Sequence, residues 1–264
     1  MSDGLPRLER RERVAILTFD NPPAHVFTAA ILRELAAQLD TLEADSAIDT
    51  LVMTGAGERF FCAGDDLNMY VGISPAAARE LTRLLAAVVT RLHDFSGLTV
   101  AAINGWCLGA GLECALACDI RIAETQARFG LPEGRVGLLP CGGGTATLAR
   151  QIGRGWAKRL ILCGETVDVE TAKRIGLIEQ SVPSGESLPA ALALAEQAAR
   201  QSPIALVASK RLIDAHQGAA LTTALARERA AFGTLFETAD AAEGVAAFLG
   251  KREPVWEHDR SRNR

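Results

Sequence analysis

Two glutamates, Glu113 and Glu133, stand twenty positions apart in stretches that are otherwise apolar and rich in glycine. Glu133 sits between Pro132 and Gly134 in the run from Ala127 to Thr145, a setting in which solvation accounts poorly for a carboxylate. Burial there raises a carboxyl pKa and suits it to general acid work near neutral pH, above all beside a second acid. The competing reading of Glu133 is a surface loop acid. Glu113 closes the run Asn104-Gly-Trp-Cys-Leu-Gly109-Ala110-Gly111-Leu-Glu113, in which a Gly-x-Gly turn opens a helix. Free N–H groups at such a start can hold developing negative charge. An acid in the first turn is also favoured by the helix dipole alone, so Glu113 has a structural explanation of equal standing. The dinucleotide fingerprint Gly-x-Gly-x-x-Gly is incomplete, because Cys114 holds its last position. Gly142 to Gly144 lack a following Gly-Lys-Ser/Thr, which excludes a P-loop. A third segment, Phe60-Phe-Cys-Ala63-Gly64-Asp65-Asp66-Leu67, puts small residues where a ligand could approach main-chain N–H groups, although read alone it is an ordinary loop after a strand.

Alternating strands and helices must position these segments. Val14–Phe19 reads as a strand ended by Asn21-Pro22-Pro23, and Ile31, Leu32, Leu35, Leu39 and Leu42 recur at helical spacing. Thr50–Thr54 and Thr99–Ile103 are further strands, with a long helix from Pro75 to His93 between them, and Gly109–Cys118 has the small residues of a tightly packed helix. This order predicts parallel βαβ units in an α/β fold. From Ser202 onward the strand signals stop, and Pro203–His216, Ala219–Phe236 and Ala239–Leu249 read as three helices. The expected division is a core over residues 1–201 and a helical region over 202–264.

The composition, with 48% apolar and 23% charged residues in 264, is that of a folded globular chain. A net charge of −4 gives no electrostatic reason to expect nucleic acid. No apolar run approaches 18 residues and the N-terminus lacks a signal-peptide core, so a cytoplasmic protein without a membrane span is expected. Six cysteines form no Cys-x-x-Cys pair and read as reduced thiols; Cys114 and Cys118, four apart, are the one weakly metal-like feature, and no metal is expected.

Taken together, the ordered segments resemble the enoyl-CoA hydratase/isomerase (crotonase) superfamily. The resemblance runs from Ala63-Gly-Asp-Asp-Leu67 and Gly109-Ala-Gly-Leu-Glu113 through Cys118–Ala123, Phe129–Glu133, Gly143-Gly-Thr145 and Ala172–Leu177 to the segment from Glu243 to Pro254. It implies a crotonase-like spiral of ββα units with a C-terminal helical trimerisation subdomain, assembled as a homotrimer or homohexamer. It also implies a coenzyme A thioester as substrate and no separate cofactor. The thioester oxygen would be held by the main-chain N–H groups of Asp65 and Ala110. Glu113 would activate the water added at C3, and Glu133 would deliver the proton to C2. Ala24, Ala63, Asp66, Leu67, Phe248 and Lys251 would contact substrate or coenzyme A. Three positions depart from the family pattern. Asp65 stands where a small residue is usual and brings a carboxylate near the thioester oxygen unless it turns outward. His25 replaces an asparagine and reads as structural or pocket-lining, and Trp106 is bulky beside the second block.

Hydration of a trans-2-enoyl-CoA to a 3-hydroxyacyl-CoA is the activity these residues favour. An enoyl-CoA isomerase needs a base and the same N–H pair but retains no water, and decarboxylase, dehalogenase or thioester hydrolase chemistry shares that pair. A non-catalytic acyl-CoA-binding or RNA-binding scaffold is the reading from a different class; the acidic balance opposes RNA, and both acids oppose lost catalysis.

Overall fold

The computed structural model describes residues 4–257; residues 1–3 and 258–264, which include the end of the expected helical region, lie outside it. A six-stranded sheet forms the centre. Its strands are β1 (Arg7–Arg11), β2 (Val14–Phe19), β3 (Thr50–Gly55), β5 (Leu98–Ile103), β7 (Ile120–Glu124) and β10 (Gln180–Val182), in the order β1-β2-β3-β5-β7-β10. Only β1 runs antiparallel to its neighbour. β3 is buried along its whole length, as a parallel strand covered on both faces must be.

A second sheet, invisible in the sequence reading, joins β4 (Phe60–Cys62), β6 (Trp106–Leu108), β8 (Arg128–Gly130) and β9 (Thr166–Asp168). Each has three residues, too few to show a period-two pattern. The helices of the core are α1 (Ala29–Ala44), α2 (Pro75–His93), α3 (Ala110–Ala117), α4 (Gly144–Leu162), α5 (Val169–Arg174) and α6 (Ser187–Ala199). β4, β6 and β8 lie just after β3, β5 and β7, so three times the chain leaves the large sheet, adds a short strand to the small one, and goes on to a helix. β9 instead follows a helix, and α1 and α6 follow strands of the large sheet directly. The repeat of two strands and a helix is the expected spiral.

Local signals start the helices. Thr28 Oγ1 accepts from the N–H of Ile31 to cap α1, and Ser74 caps α2 with Pro75 in its first turn. α3 is buried on every side, because its small residues let neighbours approach from all directions. A methyl group on Gly111 would lie 2.6 Å from the Cys62 carbonyl oxygen, so glycine is needed where α3 crosses β4.

Asn104 staples the step between the sheets. Its Oδ1 accepts from Gly55 N–H at 3.1 Å, and its Nδ2 donates to the carbonyls of Gly55 at 2.9 Å and Gly57 at 2.8 Å. Asn104→Ala strands these buried groups and is expected to destabilise the fold by about 3 kcal/mol, read from urea unfolding midpoints.

The chain ends in α7 (Pro203–Ala215), α8 (Leu221–Leu235) and α9 (Ala239–Leu249), close to the expected bounds. Lys210 ties α7 to the core by donating to Asp119 Oδ2 at 2.8 Å and to the Gly97 carbonyl at 3.0 Å. α8 buries only Ala224, whereas Leu221, Phe232 and Phe236 are exposed. Among the described residues, no helix is long and apolar enough to cross a membrane.

Candidate active site

A cavity of about 840 Å³ opens where the small sheet meets the N-terminal end of α3. Ala63, Asp65, Asp66, Leu67, Ala110, Glu113 and Glu133 all line it, so most of the residues singled out in the sequence converge here. Ala24, Phe248 and Lys251 do not line it. Ala24 instead supports it from behind, its carbonyl accepting from Ala63 N–H at 3.0 Å. Phe248 is 83% exposed at the end of α9, and Lys251 is exposed just beyond. Within one chain, these two are thus not brought together with the other residues singled out for substrate or coenzyme A. His25 is buried, with Nε2 2.9 Å from the Ala56 carbonyl oxygen, and lies outside the cavity lining, which favours the structural part of its reading.

The loop from Ala63 to Asp66 is pinned by main-chain bonds. Phe27 N–H donates to the Gly64 carbonyl at 2.8 Å, and Asp66 N–H donates to the Phe27 carbonyl at 2.9 Å. Phe27 is anchored in turn by Phe19, with ring centroids 5.2 Å apart, and Phe19 packs edge-on against Phe61 at the same separation. Gly64, at φ 102°, brings the loop against α3, where an added methyl would lie 3.4 Å from Ala110 N. The main-chain N–H groups of Asp65 and Ala110 therefore open near each other on the cavity. Among the described residues, neither donates a hydrogen bond to another group of the protein. Two free N–H groups side by side are what a developing oxyanion requires.

Glu113 is 2% exposed and projects from the first turn of α3 towards the start of α4. Its Oε1 accepts from Gly142 N–H at 2.7 Å and Gly144 N–H at 2.8 Å. The triple glycine, which holds no phosphate motif, is thus a cradle for this carboxylate at the N-terminal end of α4. A methyl on Gly144 would lie 2.9 Å from Glu113 Oε1, and one on Gly142 would lie 3.0 Å from Oε2. Burial pushes the Glu113 pKa up, while the glycine N–H groups act against the rise.

Glu133 opens a 3₁₀ turn, Glu133–Val136, and faces the start of α3, where a methyl on Gly109 would lie 3.5 Å from its Oε1. Its Oε2 is buried without a hydrogen-bond partner. Burial, then its own main-chain N–H acting in the opposite sense, then the negative Glu113 and Asp65, set its pKa, which is raised to about 7. The two glutamates therefore differ in kind: one is cradled by two glycine N–H groups, and the other has only its own main-chain N–H and one oxygen without a partner.

Tyr70 and Cys141 are among the lining residues not singled out as site residues. Tyr70 donates its hydroxyl to Asp65 Oδ2 at 2.7 Å, which fixes the carboxylate that departs from the family pattern. Cys141, part-buried beside the glycine cradle, has its thiol pKa raised by burial to about 12. Only its position next to Gly142 could have flagged it. A larger groove of about 1290 Å³ lies between α7 and the core; its carboxylates are Asp119, paired with Lys210, and Asp214, and it contains neither of the glutamates singled out in the sequence. Cys114 and Cys118 join no metal-binding group among the described residues.

Residues 9–260 match the family model described as enoyl-CoA hydratase/isomerase. Over 248 residues the chain is 41% identical to the 2,3-dehydroadipyl-CoA hydratase of Escherichia coli (strain K12), covering 94% of this chain and 96% of that protein. It is 36% identical to the short-chain-enoyl-CoA hydratase of Clostridium acetobutylicum, over 93% of this chain and 95% of the relative. Among solved structures, Pseudomonas aeruginosa DspI superposes with a TM-score of 0.92 at 50% identity, over 96% of each chain. The enoyl-CoA hydratase of Bacillus anthracis does so with 0.92 at 33%, over 96% of this chain and 99% of that one. With the family matched across nearly the whole chain, the chain belongs to the enoyl-CoA hydratase/isomerase (crotonase) family.

Proposed function

We propose that the protein is an enoyl-CoA hydratase that adds water to a trans-2-enoyl-CoA to give the 3-hydroxyacyl-CoA. The observation that carries this reading is the presence in one cavity of two unlike carboxyl groups beside two free main-chain N–H groups. The Asp65 and Ala110 N–H groups hold the thioester oxygen as negative charge moves onto it. Glu113, whose Oε1 is occupied by glycine N–H groups, takes a proton from the water whose oxygen bonds to C3. Glu133 gives its proton to C2, and proton transfer between the pair restores the starting state. Ala63, Asp66 and Leu67 line the entrance for the thioester arm. Names of relatives such as 2,3-dehydroadipyl-CoA hydratase and short-chain-enoyl-CoA hydratase agree with this chemistry while differing in acyl group.

Crotonyl-CoA and longer or branched enoyl-CoAs, mixed with pure protein, should lose their conjugated thioester absorbance. Absence of turnover across the panel overturns the reading. An isomerase would instead convert 3-enoyl-CoA to the conjugated isomer without incorporating labelled water, so product analysis separates the two. The pH dependence has a definite sign. Glu133 must carry a proton to act as acid, and its pKa is about 7, so kcat/KM should fall as pH rises through that value. A profile that keeps rising to pH 9 would contradict Glu133 as the acid.

We infer also that copies of the chain associate through the C-terminal helices as a trimer or a pair of trimers. Exposed Leu221, Phe232, Phe236, Phe248 and Leu249 on α8, α9 and their ends support this, since such apolar area favours association. Sedimentation of the full chain tests it.

A further inference from the structure

Four carboxyl groups line the cavity, and their hydrogen-bond donors are unequally distributed. Asp66, at its entrance, accepts from Asn68 N–H at 3.0 Å and from Asn68 Nδ2 at 2.7 Å. Glu113 accepts two glycine N–H groups on one oxygen, and Asp65 accepts the Tyr70 hydroxyl at 2.7 Å. Glu133 Oε2 accepts nothing, and Asp65 Oδ1 is likewise buried without a donor, so the Asp65 charge is only half satisfied. The basic residue in the lining is Arg135, which is exposed and donates Nη2 to the Gly164 carbonyl at 2.6 Å. Around Glu133, then, stand Glu113 from α3, Asp65 from the loop after β4, the Cys141 thiol ahead of α4, and Arg135 on its own turn. The Tyr70 hydroxyl is already engaged with Asp65. Charges on carboxylates sharing one part-buried cavity oppose one another, and protons settle on the group with fewest donors to its charged form.

We propose that Asp65, gripped by Tyr70, is a positioning residue that keeps a proton on Glu133 in the ligand-free enzyme, so that the acid of the pair is loaded before the thioester arrives. The proposal rests on the hydratase reading for its use of that proton, though not for the proton's location. Burial pushes the Asp65 pKa up and the Tyr70 hydroxyl acts against that rise, favouring the ionised form. The ionised Asp65 then adds to burial and to Glu113 in disfavouring a charge on Glu133. The carboxylate that departs from the family pattern thereby acquires a task distinct from its main-chain N–H.

The test is a carboxyl titration. Full-length protein with ¹³C-labelled glutamate side chains is titrated by NMR, with the Glu133 signal assigned by its loss in Glu133→Gln. Asp65→Asn retains an acceptor for Tyr70 and the main-chain N–H while removing the charge; it should lower the Glu133 midpoint by at least about half a pH unit. Tyr70→Phe, which withdraws the donor from Asp65, should shift it in the same direction, and it decides the matter if Asp65→Asn does not fold. The descending limb of kcat/KM for crotonyl-CoA should move with the midpoint. An unchanged Glu133 midpoint in folded Asp65→Asn or Tyr70→Phe overturns the proposal, even if the rate falls. A shifted midpoint without turnover of any enoyl-CoA sinks the hydratase reading and leaves the proton-holding role standing; turnover with no shift does the reverse.

Discussion

Glu113→Gln and Glu133→Gln should each lower turnover of crotonyl-CoA by a factor of about 10² to 10⁴, the range lost when a positioned acid or base is removed. Glutamine keeps the shape of each side chain, and its carbonyl oxygen can still accept from the Gly142 and Gly144 N–H groups. Binding of the saturated, unreactive butyryl-CoA, measured by calorimetry, should therefore change little. The double variant should be only slightly worse than the weaker single one, because the two acids serve one proton circuit and their effects do not multiply. Stability should respond with a definite sign at Glu133. Its folded pKa of about 7 lies above the ordinary 4.5, so between those values the unfolded chain binds fewer protons than the folded one. Stability from this group is thus full below about 4.5 and lost as pH rises through 7. At pH 8, Glu133→Gln should melt at or above the parent temperature; a markedly lower Tm would show that the carboxylate is part of the scaffold instead.

Gly144→Ala should also be severe, with a different signature. The added methyl meets Glu113 Oε1 at 2.9 Å, Pro140 Cβ at 2.8 Å and Leu131 Cδ1 at 2.9 Å, all closer than a real side chain tolerates. Pro140 is fixed in the chain and Leu131 is fully buried, so the Glu113 carboxylate is the group that must move. A displacement of about 1 Å at a reacting group costs on the order of a hundredfold in rate. The expected result is a fall in kcat of that size with little change in KM, accompanied by a lower Tm from the crowded Leu131. If kcat is unchanged, the glycine cradle does not set the position of Glu113. Gly155→Ala is a suitable control, because a methyl there meets nothing within 4 Å.

Much of this site was legible before the fold was known, for reasons specific to each residue. Glu133 was visible because a charge between Pro132 and Gly134 in an apolar run has few bland explanations. The long helices were visible because leucines recur at their spacing. The small sheet was not, since strands of three residues carry no period and are defined by partners far along the chain, as Phe60 is by Trp106. The purpose of Gly142 to Gly144 was hidden for the same reason: the group they serve lies about thirty residues away and reaches them only through the packing of α3 on α4. Tyr70 was silent in sequence because its meaning comes from Asp65, whose own departure from the family pattern was noticed but had no partner to explain it. Phe248 and Lys251 mark the opposite limit, being recognisable as motif positions yet absent from the cavity lining of the chain that carries them.

The outward face of α8 has a consequence for how the molecule opens. With one buried side chain, the helix recovers little of the entropy lost in ordering it, so in a lone chain its backbone amides belong to the least protected class for hydrogen exchange. The association of copies through that face proposed above would link assembly to local folding, and the free energy holding the helix closed would then depend on the concentration of the protein itself. In such an assembly dilution would loosen α8 first, while the strands of the central sheet keep the protection that their own burial provides.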